Sequence, residues 1–226
     1  VWDFAAERSS EAVQRRSAPY HGAMETLVYV ARHGEVDSRW RDRVYGCLDV
    51  ELSRAGEDEA RACAAFLDGA ELDAVFTSPL ARARFSAELL AERRGLVPRA
   101  HAGLVELDRG DWAGLTFGEL EARDPGALAA WNRAPDVLRP PRGESLTDLA
   151  QRVNAALAEC IESGRHRTVA VAAHGWVARV VLCQALGLDF TSAARLRMRT
   201  ACLSAVLWRA GRPVELLGVD LDAPIH

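Results

Sequence analysis

The sequence contains no lysine, and all 28 of its basic residues are arginine. Any cationic contact with an anion is therefore a planar guanidinium fork that keeps its charge at every physiological pH. Long apolar runs are missing as well: residues 168–173 and 177–188 are too short or too interrupted by polar side chains to span a bilayer. The five cysteines, Cys47, Cys63, Cys160, Cys183 and Cys202, form no CxxC pair and have no histidine at ligand spacing. That argues against a disulfide framework or a zinc site and for the reduced thiols of a cytoplasmic protein. Residues 1–23 lack the basic-then-apolar order of a secretory signal and read as an extension, natural or added, ahead of Met24. A net charge of −4 gives no hold on nucleic acid or an anionic membrane. What remains, 49% apolar and 27% charged residues, is the composition of an ordinary folded chain. Residues 24–226 are expected to form a single domain.

Three short apolar runs organise that chain. Thr26 to Ala31, Leu72 to Thr77 and Thr168 to Ala173 read as buried strands, and each ends abruptly in polar residues: Arg32-His33-Gly34, Ser78-Pro79-Leu80-Ala81-Arg82 and His174-Gly175. Helices are expected after Ser53, an N-cap with Ala60, Cys63, Ala64 and Leu67 at helical spacing, then up to Arg94, over 145–163, and from His174 to Gly187. Leu203 to Trp208 and Val214 to Leu217, separated by Gly-Arg-Pro, suggest a closing hairpin. The alternation predicts an α/β three-layer sandwich, with a mostly parallel central sheet and helices on both faces. Ligands bind at the carboxyl edge of such sheets, so His33, Arg82 and His174 should converge there. Residues 100–142, rich in glycine and proline, break the rhythm and are expected to fold over that edge as an insertion.

The order of the polar landmarks says more than any one of them. Arg32-His33-Gly34-Glu35 is followed by Gly46, Asp49, Leu52, Ser53 and Gly56, then by Ser78-Pro79-Leu80-Ala81-Arg82-Ala83. Glu106 with Gly110, Trp112 and Gly114 comes next, then Gly143-Glu144-Ser145 with Arg152-Val153, and finally His174-Gly175. This series resembles the histidine phosphatase superfamily, also called phosphoglycerate-mutase-like. The resemblance implies a metal-independent phosphomonoesterase without cofactor, which acts on a small-molecule phosphate ester through a phosphohistidine on His33. It leaves room for a homodimer. Arg32, Arg82, His174 and Gly175 would hold the phosphoryl group, and Glu106 would be the acid and base.

The chemistry suits those residue types. A neutral imidazole attacks phosphorus and splits one difficult displacement into two easier ones. Fixed cations aimed at the equatorial oxygens supply most of the catalysis, so Arg32, Arg82 and a protonated His174 could do without Mg²⁺. The leaving alkoxide needs a proton, and the same group then deprotonates the attacking water. Asp108 and Asp111 lie close enough in sequence to be mistaken for Glu106, and Cys47 has little to mark it as a reactive thiol.

Around this centre the chain departs from the family pattern. Val36 stands where Thr or Ser is common, and Arg39 where an Asn often touches phosphate. The Arg39-Trp40-Arg41-Asp42-Arg43 segment is unusually basic, so Arg39 or Arg43 could hold a second negative charge, the alternative being a solvated loop. Trp176 follows the second His-Gly pair. With Trp40, Trp112 and Trp131 it could wall the cleft for an apolar or aromatic ester, or simply pack a helix on the sheet. Two other functions compete with hydrolysis. They are a phosphoglycerate-type phosphomutase, and a phosphate-binding module without turnover; fructose bisphosphate and ribazole phosphate hydrolases are neighbouring readings.

Overall fold

Strand β1 (Glu25–Arg32) is buried along nearly its whole length, which requires cover on both faces of the sheet. The computed structural model describes residues 25–164, 166–219 and 221; the extension expected over residues 1–23 lies outside them. After β1 come α1 (Arg54–Phe66), β2 (Ala74–Thr77), α2 (Ala81–Glu92), β3 (Arg99–Ala100), α3 (Phe117–Arg123), α4 (Ala127–Arg133) and α5 (Leu146–Glu162). The chain continues through β4 (Thr168–Ala173), α6 (Gly175–Ala185), β5 (Leu203–Arg209) and β6 (Arg212–Gly218).

The strands form one sheet in the order β3-β2-β4-β1-β5-β6. β1, β2, β3 and β4 run parallel, and β5 and β6 close one edge antiparallel. Side chains alternate across each strand. Val28, Val30, Val169 and Val171 therefore join α5 and α6 in one core, whereas Leu27, Tyr29, Ala31, Ala170 and Ala172 join α1 and α2 in the other. The result is the α/β three-layer arrangement that the alternation of strands and helices predicts. Each fully buried Leu or Val contributes roughly 1.5–3 kcal/mol. Among the described residues no helix is long and apolar enough to cross a membrane.

Local chemistry explains the helix starts. The hydroxyl oxygen of Ser53 accepts from Gly56 N–H and caps α1, and Ser145 with Asp148 forms a capping box on α5. Residues 34 and 56 must be glycine for a different reason. A Cβ on Gly34 would lie 2.0 Å from the carbonyl oxygen of Gly56, and one on Gly56 would lie 2.0 Å from that of Glu35. The loop after β1 thus presses directly on the first turn of α1.

Three details differ from the expectation. β2 begins at Ala74, two residues later than the apolar run suggests, and Asp73 instead accepts from Arg167 and Thr168 N–H. β3 is only two residues long and exposed, too short to leave a periodic signal. The hairpin turn is Ala210-Gly211, not Gly-Arg-Pro: Arg212 and Pro213 already belong to β6, where an edge strand tolerates proline.

Ala210 and Gly211 both have positive φ, 51° and 77°, as a two-residue type I′ turn requires. Alanine is strained there. Ala210→Gly is expected to raise stability by about 0.5–1 kcal/mol, measured by urea denaturation; a loss of stability would contradict this turn geometry.

Candidate active site

β1 delivers Arg32 and His33 to the carboxyl edge of the sheet, and β4, its parallel neighbour, delivers His174 to the same place. His33 N–H donates to the Ala173 carbonyl at 3.1 Å, and the two imidazoles stand edge to face with centroids 5.3 Å apart. Both are fully buried, at 1% and 0% exposure. Arg82 reaches them from the first turn of α2, whose start is held by Asp49 Oδ1 accepting from Ala81 N–H at 2.8 Å. The structure therefore brings together Arg32, His33, Arg82 and His174 from three strand ends.

The arginines are held by backbone. Arg82 donates from Nη1 to the Leu48 carbonyl at 2.6 Å and from Nη2 to that of Gly46 at 2.7 Å, with Tyr45 against its guanidinium. Gly46 has positive φ, so the loop can turn its carbonyl toward Arg82. Arg32 donates from Nη1 to the Met198 carbonyl at 2.7 Å. The Nε atoms of both arginines and both ring nitrogens of His174 are buried without a hydrogen-bond partner. Buried polar groups are nearly always paired, so this unpaired set is what a bound oxyanion would satisfy.

Burial, with Arg82 and Arg32 close by, pushes both imidazoles well below the usual histidine range. His33 Nδ1 lies 2.7 Å from the Gly34 carbonyl. A carbonyl only accepts, so Nδ1 carries the hydrogen and the lone pair is on Nε2. The protonated His174 expected from the sequence does not hold for the ligand-free site, because the low-dielectric surroundings and two guanidiniums disfavour a third positive charge.

Glu106 is buried opposite them. Its Oε1 accepts from Leu107 N–H at 2.8 Å and its Oε2 from Trp176 N–H, in the first turn of α6, at 3.2 Å. The Glu106 segment is braced by Arg152, which forms a two-pronged bond to Glu144 at 2.7 and 2.8 Å and donates to the carbonyls of Gly103 and Val105. Glu144 in turn accepts from Asp108 N–H. Asp108 and Asp111 are engaged elsewhere, with Gly110 N–H and with Arg142. Burial and the neighbouring Asp108 raise the Cys47 thiol, which donates to Asp108, so it is no thiolate nucleophile.

Above these groups lies a cleft of about 170 Å³ lined by Arg32, Arg43, Glu106, Arg109, Trp176 and Arg179 together with Tyr45, Phe117 and Leu128. A hollow of about 360 Å³ beside Trp112 and Trp131 contains none of the candidate groups. Arg43 and Gly175 border the cleft, but Arg39 does not. Arg39 is exposed and paired with Glu51 at 2.5 Å and Asp37 at 3.7 Å. Val36 is buried and bridged to Leu52, a packing position rather than a phosphate contact.

The aromatic wall also differs from expectation. Trp112 and Trp131 are buried at 5% and 1% exposure, and Trp40 is absent from the cleft lining. Trp176 does line the cleft, with the guanidiniums of Arg109 and Arg179 over its ring at 5.3 and 5.0 Å. Sequence reasoning missed both arginines. Arg109 is three residues past Glu106 and Arg179 one helical turn past Gly175, and these spacings were the available signals. Among the described residues no group of three or more His, Cys, Asp or Glu side chains is placed to hold a metal ion.

Fold and site together define an α/β protein that presents a neutral histidine pair and convergent guanidiniums at the carboxyl edge of its sheet. The chain belongs to the histidine phosphatase superfamily (branch 1), which it matches over residues 28–220. It is 38% identical over 152 residues to glucosyl-3-phosphoglycerate phosphatase of Mycobacterium tuberculosis, covering 64% of this chain and 68% of that protein. It is also 38% identical over 214 residues to a 2,3-bisphosphoglycerate-dependent phosphoglycerate mutase of Methylobacterium radiotolerans, covering 88% and 99%. The solved native structure of the mycobacterial glucosyl-3-phosphoglycerate phosphatase superposes with a TM-score of 0.74 at 32% identity, over 81% of this chain and 90% of that one.

The neutral buried histidines fix the sign of a pH effect. Below about pH 6.5, the ordinary histidine value, the unfolded chain takes up protons that folded His33 and His174 refuse, so their contribution is complete above that pH and is lost on acidification. Stability should fall between pH 7 and 5 by up to about 1.4 kcal/mol per pH unit for each histidine. Urea denaturation of the parent and of His174→Asn checks this. An equal slope in the two proteins would show that His174 takes no part.

Proposed function

We propose that this protein is a phosphomonoester hydrolase that works through a phosphohistidine on His33, without a metal ion. The observation that carries the reading is the Gly34 carbonyl 2.7 Å from His33 Nδ1, which leaves Nε2 as the base and nucleophile in a neutral ring. Nε2 attacks phosphorus as the ester P–O bond breaks. Glu106 gives a proton to the departing alkoxide, a proton that the phosphate monoanion can supply across the cleft. Glu106 then takes a proton from water, which attacks the phosphohistidine; the P–N bond breaks and inorganic phosphate leaves.

Arg32, Arg82 and the unpaired nitrogens of His174 face the equatorial oxygens in this scheme. The incoming anion offsets the repulsion from the two guanidiniums and draws a proton onto His174, which restores the third cation during the reaction. Guanidiniums supply the charge that a metal supplies elsewhere, which is the support for metal independence. With none of the five cysteines in a disulfide, a reducing compartment such as the cytoplasm is where we place this activity.

A specific observation favours a second reading. The Methylobacterium mutase matches more of this chain than the mycobacterial phosphatase does, and a mutase uses the same phosphohistidine but returns the group to the substrate instead of to water. Phosphorus NMR of 3-phosphoglycerate with the protein separates them by migration of the phosphoryl group against release of inorganic phosphate.

Release of phosphate from p-nitrophenyl phosphate is expected with chelator present and no metal added. His33→Ala should lower it by about a thousandfold or more, and acid-labile phosphate should be trapped on His33 of the parent. Turnover that survives in His33→Ala, or that requires added metal, would falsify the proposal.

A further inference from the structure

The proposed attack on phosphorus depends on one peptide unit. The Gly34 carbonyl that accepts from His33 Nδ1 at 2.7 Å is one end of it, and the Glu35 N–H is the other. That N–H donates to Glu59 Oε2 at 2.9 Å. His33, the Gly34–Glu35 peptide and Glu59 are thus linked in one chain of hydrogen bonds, with an imidazole at one end and a carboxylate at the other. A peptide that accepts at one end and donates at the other is polarised along its length, so each bond strengthens its neighbour.

Glu59 reaches this peptide because α1 lies directly against it. A Cβ on Gly56 would stand 2.6 Å from Glu35 N, so the missing side chain lets the exit of β1 settle onto the helix. Glu59 is three residues further along α1, on the same face. Other contacts hold the peptide in this attitude. The Glu35 carbonyl accepts from Ser53 N–H at 2.9 Å, and the Glu35 carboxylate is tied to Ser53 at 2.9 Å and to Arg41 at 2.8 Å. Arg41 therefore serves Glu35, whereas among the described residues no cation pairs with Glu59. A backbone N–H at a strand exit needs only an acceptor. A carboxylate supplies charge as well, and hydrogen bonds to ionised groups are roughly twice as strong as neutral ones.

Burial and the guanidiniums of Arg82 and Arg32 hold down the proton affinity of His33, and the bond to Gly34 acts in the other direction. When Nε2 bonds to phosphorus while Nδ1 keeps its hydrogen, the ring becomes positively charged, and the bond from Nδ1 strengthens as that charge develops. We propose that Glu59 is a positioning residue for His33, acting through the Gly34–Glu35 peptide to fix the Nδ1–H tautomer and to stabilise the positive ring of the phosphohistidine. No proton moves along the chain. The electron pair that forms the N–P bond comes from Nε2 and returns to it when water breaks that bond, so the ring is neutral again at the end. The proposal rests on the phosphohistidine reading above and adds to it a residue that touches neither the substrate nor the nucleophile.

Two variants test this. Glu59→Gln keeps an acceptor oxygen and removes the charge; Glu59→Leu removes both. The rate constant for phosphohistidine formation from p-nitrophenyl phosphate in a single turnover is expected to fall about 10-fold in Glu59→Gln and about 100-fold in Glu59→Leu, the range typical for loss of a partner that orients a histidine. Kd for inorganic phosphate should stay at the parent value. The His33 Nδ1–H proton, followed by NMR with isotope-labelled histidine, should move upfield in both variants as its hydrogen bond weakens, an effect that a general loss of stability does not produce. A parent-like rate constant or an unmoved resonance in Glu59→Gln overturns the proposal, and this variant is close to isosteric, so it decides the matter even where Glu59→Leu does not fold. A fall in rate matched by an equal weakening of phosphate binding also overturns it, by assigning Glu59 to the general scaffold. The resonance needs no turnover. If the protein forms no phosphohistidine, the hydrolase reading fails, while the link from Glu59 to His33 is still decided by the position of that proton.

Discussion

Four arginines and two histidines converge on the carboxyl edge of the sheet, and among the described residues Glu106 is the one buried acid. Burying positive donors without matching carboxylates is uphill, so the surrounding chain has to solvate them. Backbone carbonyls do this for Arg82 through Leu48 and Gly46, for Arg32 through Met198 and for Arg179 through Leu196. Tryptophan rings do it for Arg109. The loops at this edge are thus shaped by where their carbonyls must point, and the positive φ of Gly46 is one consequence.

The same excess of cation governs the histidines. An imidazole in that field stays neutral, which leaves His33 the ring lone pair that the proposed attack on phosphorus requires and keeps a third positive charge off His174 in the ligand-free site. A site that is uncomfortable when empty is complementary to a phosphoryl group carrying several negative oxygens, and this difference between free and occupied states is what electrostatic catalysis draws on. Backbone N–H groups of Leu107 and Trp176 hold the oxygens of Glu106, and Arg152 with Glu144 fixes the loop behind it.

How much of this was legible in the sequence follows from how each residue is positioned. His33, Arg82 and His174 were readable because each sits at or just past the end of an apolar run, so periodicity alone carries them to one edge of the sheet. Glu106 came from the resemblance, and what fixes it is the tertiary brace from Arg152. The unprotonated state of His174 depends on burial and on two distant guanidiniums, which no local pattern encodes. Arg39 looked like a ligand by counting from His33, but the single turn at Ser38–Trp40 carries it out to Glu51. Trp176 looked like part of an apolar wall because its partners, Arg109 and Arg179, come from segments 67 residues away and one turn away along the chain. The two-residue β3 gave too short a run to show any period.

Two of the arginines that line the cleft are joined through short stretches of chain to the candidate catalytic groups. Arg109 follows Glu106 by three residues within one braced loop, and Arg179 follows His174 by five on α6, whose first turn also donates Trp176 N–H to Glu106. A ligand that touches these arginines therefore bears on the segments that carry Glu106 and His174. Binding energy from the non-reacting end of the substrate can then be realised as orientation at phosphorus, so discrimination appears in kcat as well as in KM. Arg32, His33 and His174 sit at strand ends that the fold itself sets, while Arg109 and Arg179 are single positions a few residues further along the chain.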